Sequence, residues 1–378
     1  MSSPYHRRPL PDYFLSSPLT ALLYPFHHFF TQLRGPPHRP PPDSRPIRVV
    51  CLSDTHTLEW PDVDVPDGDL LIHSGDLSND GSVREIQATI DWLRSLPHSH
   101  KVVICGNHDS YFDLRSRLAE DRDQPSFAAI SSSTASLRSL DDDPRIDWGD
   151  IHYLQHSSVT LSFPPLPPPS VPSSPSSTSS FSSLTANPTP TGRSLTVYGA
   201  PQVPALVPFG PEHAFTYPPH HDAWSGTVPI HTDILVTHTP PQAHLDLSPV
   251  YSTGCPSLLS EIWRVRPLLH VFGHIHDGYG IEPVYWDEAQ RAWERLCASR
   301  LRRARSSRSS NLLMGIIRDL ADLSGWFDAA RVVVYGVLGI VWAKVWGGDN
   351  DGSGWIVNAA GMSSTSGRLI NRPHVVDL

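Results

Sequence analysis

Cysteine is scarce: Cys51, Cys105, Cys255 and Cys297 are the only four in 378 residues, and no two form a Cys-x-x-Cys pair. This argues against a disulfide-stapled scaffold and a thiolate zinc site, and for a reducing, intracellular compartment, with the cytoplasm expected. Net positive charge is also missing. With 29 Lys and Arg against 38 Asp and Glu the chain carries −9, the wrong sign for a general nucleic-acid binder, so no nucleic-acid partner is expected. No uncharged apolar run reaches the roughly twenty residues of a spanning helix. Val332–Ala343, bounded by Arg331 and Lys344, stops at twelve. Between Ile151 and Gly192 there is no Asp, Glu, Lys or Arg, and Pro164–Pro190 is mainly Pro, Ser and Thr. Such a stretch buries too little apolar area to offset its ordering entropy, so 164–192 is expected to be a disordered insertion. Residues 1–46 lack the uninterrupted apolar region of a signal peptide. Pro18, Pro25, His27 and His28 interrupt the stretch from Phe14 to Phe30, and a flexible Pro-rich tail with one sticky segment is expected.

Short polar motifs are what the chain does have, each closing an apolar run. Asp54-Thr55-His56 follows Ile47–Leu52, Gly75-Asp76 follows Leu70–His73, and Gly106-Asn107-His108-Asp109 follows Lys101–Cys105. Thr237-His238 then follows Ile234–Val236, and Gly273-His274-Ile275-His276 follows Leu269–Phe272. Read as parallel strands, these runs end at one edge of a sheet, where ligands gather. Carboxylate and amide oxygens mixed with imidazole nitrogens suit Mn, Fe or Zn. Between the strands, Ser82-Val83-Arg84-Glu85 reads as a capping box, and Val83, Ile86, Ile90 and Leu93 follow at helical spacing. A second helix is expected over Ser257–Val265, with Leu258, Leu259 and Ile262 inward. Strand, helix, strand is the rhythm of a layered α/β protein.

The ordered series Asp-x-His, Gly-Asp, Gly-Asn-His-Asp, Thr-His and Gly-His-x-His resembles the calcineurin-like metallophosphoesterase superfamily. Leu52-Ser53-Asp54-Thr55-His56, Tyr198-Gly199-Ala200-Pro201 and Thr237-His238-Thr239-Pro240-Pro241 resemble its branch of metallophosphoesterase domain-containing proteins, which are class III phosphodiesterase-like. The resemblance covers roughly 47–163, 194–281 and 354–378. It implies a four-layer α/β sandwich, two mixed β-sheets flanked by helices, over a domain spanning 47–378. It also implies that Asp54, His56 and His276 hold one divalent metal ion, that Asn107, His238 and His274 hold a second, and that Asp76 bridges them. Mn is favoured over Fe or Zn. Purple acid phosphatases place a tyrosine ligand where this chain has Asn79, and Ser/Thr protein phosphatases place an arginine in a segment that here reads Leu77-Ser78-Asn79-Asp80-Gly81. Neither subfamily is therefore expected.

Two divalent cations against the carboxylates Asp54 and Asp76 and one bridging hydroxide leave a charge of about +1, enough to draw a phosphate oxygen. The hydroxide would attack phosphorus, His108 would protonate the leaving oxygen, and Asp109 would either orient that imidazole or support the turn. The expected activity is hydrolysis of a phosphodiester or small phosphomonoester on a small phosphorylated substrate. The alternative is a membrane-peripheral binding or scaffold protein with a little-used site. His220 and His221 are candidates to border the substrate, whereas His73, His244 and His270 read as structural.

A second insertion, 282–353, separates the strand after Gly280 from the closing strand Gly354–Val357. It carries a helix-like stretch (Trp286–Leu296), the basic run Arg300-Leu301-Arg302-Arg303-Ala304-Arg305-Ser306-Ser307-Arg308 and the apolar Leu312–Trp346. Two readings stay open for the apolar part: a helix packed on the domain, or one lying in a membrane interface through 300–346.

Overall fold

The computed structural model describes residues 17–37, 46–117, 146–165, 192–205, 214–219, 221–247, 252–306, 312–348 and 352–378. The Pro/Ser insertion, except its ends, and His220 lie outside the described residues.

Two mixed sheets form the centre. The first comprises β1 (Arg48–Leu52), β2 (Leu70–Ser74), β3 (His100–Ile104), β4 (Ile151–Tyr153) and a final strand (His374–Asp377), in the order final strand-β1-β2-β3-β4. β1 to β4 run parallel, and the final strand pairs antiparallel with β1. The second contains β5 (Ser157–Phe163), β6 (Arg193–Ala200), β7 (Ile234–Thr237), β8 (Leu269–Phe272), β9 (Gly280–Val284) and β10 (Gly354–Asn358). Its order is β9-β10-β8-β7-β6-β5, parallel from β10 to β6 and antiparallel at both edges. The final strand is β11.

β-branched and Leu-rich strands such as Leu70–Ser74 and Ile234–Thr237 are buried at every position, as central parallel strands must be when both faces are covered. Val49, Cys51, Ile72 and Val102 of the first sheet meet Val197, Val236, Val271 and Val357 of the second. The outer face of the first sheet packs on helix α2 (Val83–Ser95) through Ile86, Ile90 and Leu93. That of the second packs on helix α3 (Pro256–Val265) through Leu258 and Ile262. Helix, sheet, sheet and helix make the four layers. Leu259 is only half-buried, and the cap of α2 differs from a reciprocal capping box. Ser82 Oγ does accept from Glu85 N, but the Glu85 carboxylate takes the Asn79 and Asp80 amides instead of that of Ser82. All four cysteines are free and buried.

The flexible tail expected over 1–46 does not hold for 18–34. Pro18–Arg34 is a helix, α1, tied down at both ends. The Asp319 carboxylate accepts from Ser17 Oγ and the Leu19 amide at 3.0 Å, while Arg34 pairs with Asp287 and lies 4.1 Å over the Tyr285 ring. Leu19 and Leu23 are buried, contributing roughly 1.5–3 kcal/mol each against the cost of ordering the segment. Their partners come from the distant insertion, which forms α4 (Glu288–Ser306), α5 (Leu312–Leu320) and α6 (Leu323–Lys344). Ala292, Trp293, Leu296, Ala329 and Val332 join Leu19 and Leu23 in a separate small core. The uncharged stretch of twelve residues proves part of a helix of 22. Asp328 does not end it because Arg295 and Arg331 neutralise its carboxylate at 3.0 and 3.1 Å.

Candidate metal centre

The parallel strands of both sheets deliver their carboxyl ends to one edge. There the backbone leaves the extended region sharply: Asp54, His56, Asp76 and His274 all have positive φ, between 47° and 65°, a left-handed conformation that Asp and His tolerate better than most residues. Each turn aims a side chain back across the sheet edge in place of continuing the strand. The Asp54 amide donates to Gly75 O and the His56 amide to Asp76 O, at 2.9 and 3.1 Å, lacing the first two loops together.

Asp54 is fully buried and accepts from the His274 amide at 3.0 Å and from His276 Nε2 at 3.1 Å. His238 Nε2 lies 3.0 Å from Asn107 Oδ1 and 3.3 Å from Asp76 Oδ1, and its Nδ1 donates to Ser74 O. His56 Nε2 sits 3.6 Å from Asp76 Oδ2, buried and without a hydrogen-bond partner. The His274 ring lies 5.1 Å from that of His238, and the His276 ring 5.4 Å from that of His56. Asp54, Asp76, Asn107 and the four histidines thus occupy one neighbourhood. Three overlapping trios, Asp54/His56/His276, His56/Asp76/His108 and Asp54/Asp76/His238, each bring donor atoms within 4.8 Å of one another. The backbone hugs this cluster. A Cβ at Gly273 would collide with the Asp54 carboxylate and the Ser53 hydroxyl, and one at Gly106 with Asp76.

Burial would raise both carboxylates, but the surrounding imidazoles outweigh it: His276 holds Asp54 down and His238 holds Asp76 well below the usual range. In return, despite full burial, His238 rises to about 9 beside Asp76. Burial and the nearby His238 charge push His274 down to about 3. Anions and imidazoles packed this tightly, with a buried orphan nitrogen among them, fit divalent cations, which would take the place of the protons.

His108 and Asp109 part company. The His108 Nδ1 donates to Asn79 O at 3.0 Å, and its ring stands edge-on to His56 at 4.8 Å. Burial works against its charged form, but Asp76 and the Asn79 carbonyl raise its pKa. Asp109 turns away from it. The buried Asp109 carboxylate accepts from the amides of Gly106, Leu77 and Ser78 and from Ser78 Oγ, at 2.7 to 3.2 Å. Of the two roles considered for it, these bonds match support of the turn.

Several contributing residues carried no signal in the sequence. Asn79 Nδ2 donates to His56 O, so this residue grips His56 and His108 from one turn. Asn358 Nδ2 pins the Gly273–His276 loop through Ile275 O. The three histidines read as structural lie off the cluster. His73 bonds Thr55 Oγ1 and His270 bonds Thr237 Oγ1, both held near 3 by burial. His244 is clamped between Glu282 and Glu294. His221 is exposed.

The family model of the calcineurin-like phosphoesterases matches residues 47–278. The chain belongs to that family. This calcineurin-like phosphoesterase is 33% identical over 251 residues to human metallophosphoesterase domain-containing protein 1, across 65% of each chain. It is 36% identical over 253 residues to the probable rhamnogalacturonate lyase C of Emericella nidulans, across 66% of this chain and 19% of the other. The chain thus spans just under two thirds of the first relative and about a fifth of the second. Among solved structures, the TT1561 protein of Thermus thermophilus aligns over 64% of this chain and 85% of its own, at 14% identity and a TM-score of 0.35. Family membership implies divalent metal ions at this site. The family match stops before the helical insertion.

Proposed function

We propose that this calcineurin-like phosphoesterase hydrolyses a phosphodiester or small phosphomonoester, with Asp54, His56 and His276 holding one divalent ion, Asn107, His238 and His274 a second, and Asp76 shared between them. The observation that carries this reading is that strand ends bring Asp54, His56, Asp76, His238 and His276 into overlapping trios of donors, with Asn107 and His274 beside His238 and the buried His56 Nε2 left without a partner. Bound divalent ions, with Mn favoured, would supply an activated water and neutralise charge on the phosphoryl oxygens.

The chain's own residues do the rest. Asp54 and Asp76, kept ionised by the imidazoles around them, retain the negative charge that holds cations in place. Asp109 and Asn79 fix the two loops, so that the donors need little reorganisation on loading. Against the effect of burial, Asp76 and the Asn79 carbonyl favour the protonated form of His108, and it sits beside His56 at the edge of the cluster. Delivering that proton to the departing oxygen is the role proposed for it.

The test is hydrolysis of bis-(p-nitrophenyl) phosphate by the purified chain with Mn(II). Asp76→Ala and His274→Ala should each abolish turnover, and activity surviving both substitutions would move the catalyst elsewhere.

A further inference from the structure

Outside the metal centre, the largest unexplained feature is the outer surface of the α1/α6 pair. Helix α6 is long and apolar enough to cross a bilayer, yet only 22% of its most apolar stretch is buried. The buried positions form one narrow stripe, Gly325, Ala329, Val332, Gly336 and Gly339. These small residues let α1 approach closely, with Phe30 over Gly336 and Arg34 over Gly339. On the opposite face stand Leu323, Phe327, Val334, Leu338 and, at the C-cap, Val345, with exposures from 52% to 74%, and the exposed Arg331 falls between Phe327 and Val334. Helix α1 repeats the arrangement with Leu22, Phe26, Phe29 and Leu33, exposed by 42% to 56%.

A stable soluble surface does not hold two such rows open to water without a partner. We infer that this two-helix face docks on an anionic lipid bilayer, lying in the interface plane with both apolar rows inserted.

Three features favour a bilayer over a second protein. The exposed apolar residues of α6 are spread along its 22 residues, roughly 33 Å of helix at 1.5 Å per residue, with Arg331 among them. Trp326 near its start and Trp342 and Trp346 at its end are each 45% to 69% exposed, and Trp favours the boundary between headgroups and acyl chains. In sequence the basic run Arg300 to Arg308 belongs to the same insertion, and among the described residues Arg331 and Lys344 are exposed on α6, cations that suit an anionic headgroup layer in an otherwise acidic protein.

Lying flat is favoured over crossing. A spanning α6 would carry its partner α4, with the Arg295–Asp328–Arg331 ion cluster, into hydrocarbon, which is costly for each charge. With the helix in the plane, Asp328 stays on the protein side and the half-exposed Arg331 can reach the headgroup layer.

This inference rests on residues separate from the metal centre, so the two are tested apart. The full chain should sediment with phosphatidylcholine vesicles containing phosphatidylserine, and less with phosphatidylcholine alone. Phe327→Glu combined with Leu338→Glu, and separately Phe29→Glu, should lower the bound fraction about tenfold, since a charge resists insertion at such positions. Both variants should keep wild-type thermal melting and wild-type turnover of a soluble diester, which shows that they fold. Asp76→Ala should bind vesicles like the parent. Wild-type protein that stays in the supernatant overturns the inference. So does a concentration-dependent dimer, seen by analytical ultracentrifugation, that the Glu variants dissolve without any change in vesicle binding.

Discussion

Removing the Asp109 carboxylate should unlace the metal-binding loops while leaving every donor of the centre in the sequence. Three backbone amides, those of Gly106, Leu77 and Ser78, and the Ser78 hydroxyl converge on this one buried side chain. In Asp109→Ala the three amides lose their acceptor in a site closed to water, and each unmade buried donor costs about 1 kcal/mol or more. Part of that is offset, because burial and the nearby Asp76 charge push the Asp109 carboxyl up to about 6, so its removal relieves an unfavourable charge. The net loss comes to about 3 kcal/mol, or a melting temperature lower by about 6–12 °C for a domain of this size. Asp109→Asn keeps one carbonyl acceptor and should fall roughly midway. His108→Ala provides the contrast: it should leave melting close to wild type and lower turnover by about a hundredfold or more. Differential scanning calorimetry beside a diester assay with Mn(II) separates the two. An Asp109→Ala protein with unchanged melting and abolished turnover would refute the loop-lacing argument and return Asp109 to a role through the His108 ring.

Two further outcomes follow from the packing. Gly273→Ala places a methyl group against the Asp54 carboxylate and Ser53 hydroxyl, so the purified variant should retain less Mn than the parent by metal analysis; equal loading would show that the loop yields freely. His244, buried between Glu282 at 2.5 Å and Glu294 at 3.1 Å, is lifted by those carboxylates, against the effect of burial, to about 10. Its folded pKa lies above the unfolded value of 6.5, so its stabilising contribution is complete below pH 6.5 and is lost as pH rises through 10. Urea unfolding at a series of pH values should show that loss in the parent and a smaller one in His244→Gln. Equal slopes in the two proteins would place the pH dependence elsewhere.

The candidate metal centre was legible because the donors that meet there are encoded locally. Asp54 with His56, and His274 with His276, are pairs two residues apart at strand ends, and the apolar runs before them are short. Such runs declare parallel strands, and parallel strands share an edge. The same locality exposed α2 and α3, whose inward faces repeat at helical spacing. Even so, the division of labour between His108 and Asp109 was open, because neighbours in sequence point in different directions once the turn closes, and only coordinates show Asp109 facing Leu77 and Ser78.

Sequence by itself thus indicated the layered α/β class and singled out the candidate donors, both of which depend on periodicity and residue chemistry within a few positions. Tertiary structure alone decided the fate of 18–34 and 323–344. Neither helix has a core of its own, and each is ordered by burying a narrow stripe against the other and against α4. Contacts between residues some three hundred positions apart, such as Ser17 with Asp319, leave no periodic trace in either segment, because the information resides in how two faces match.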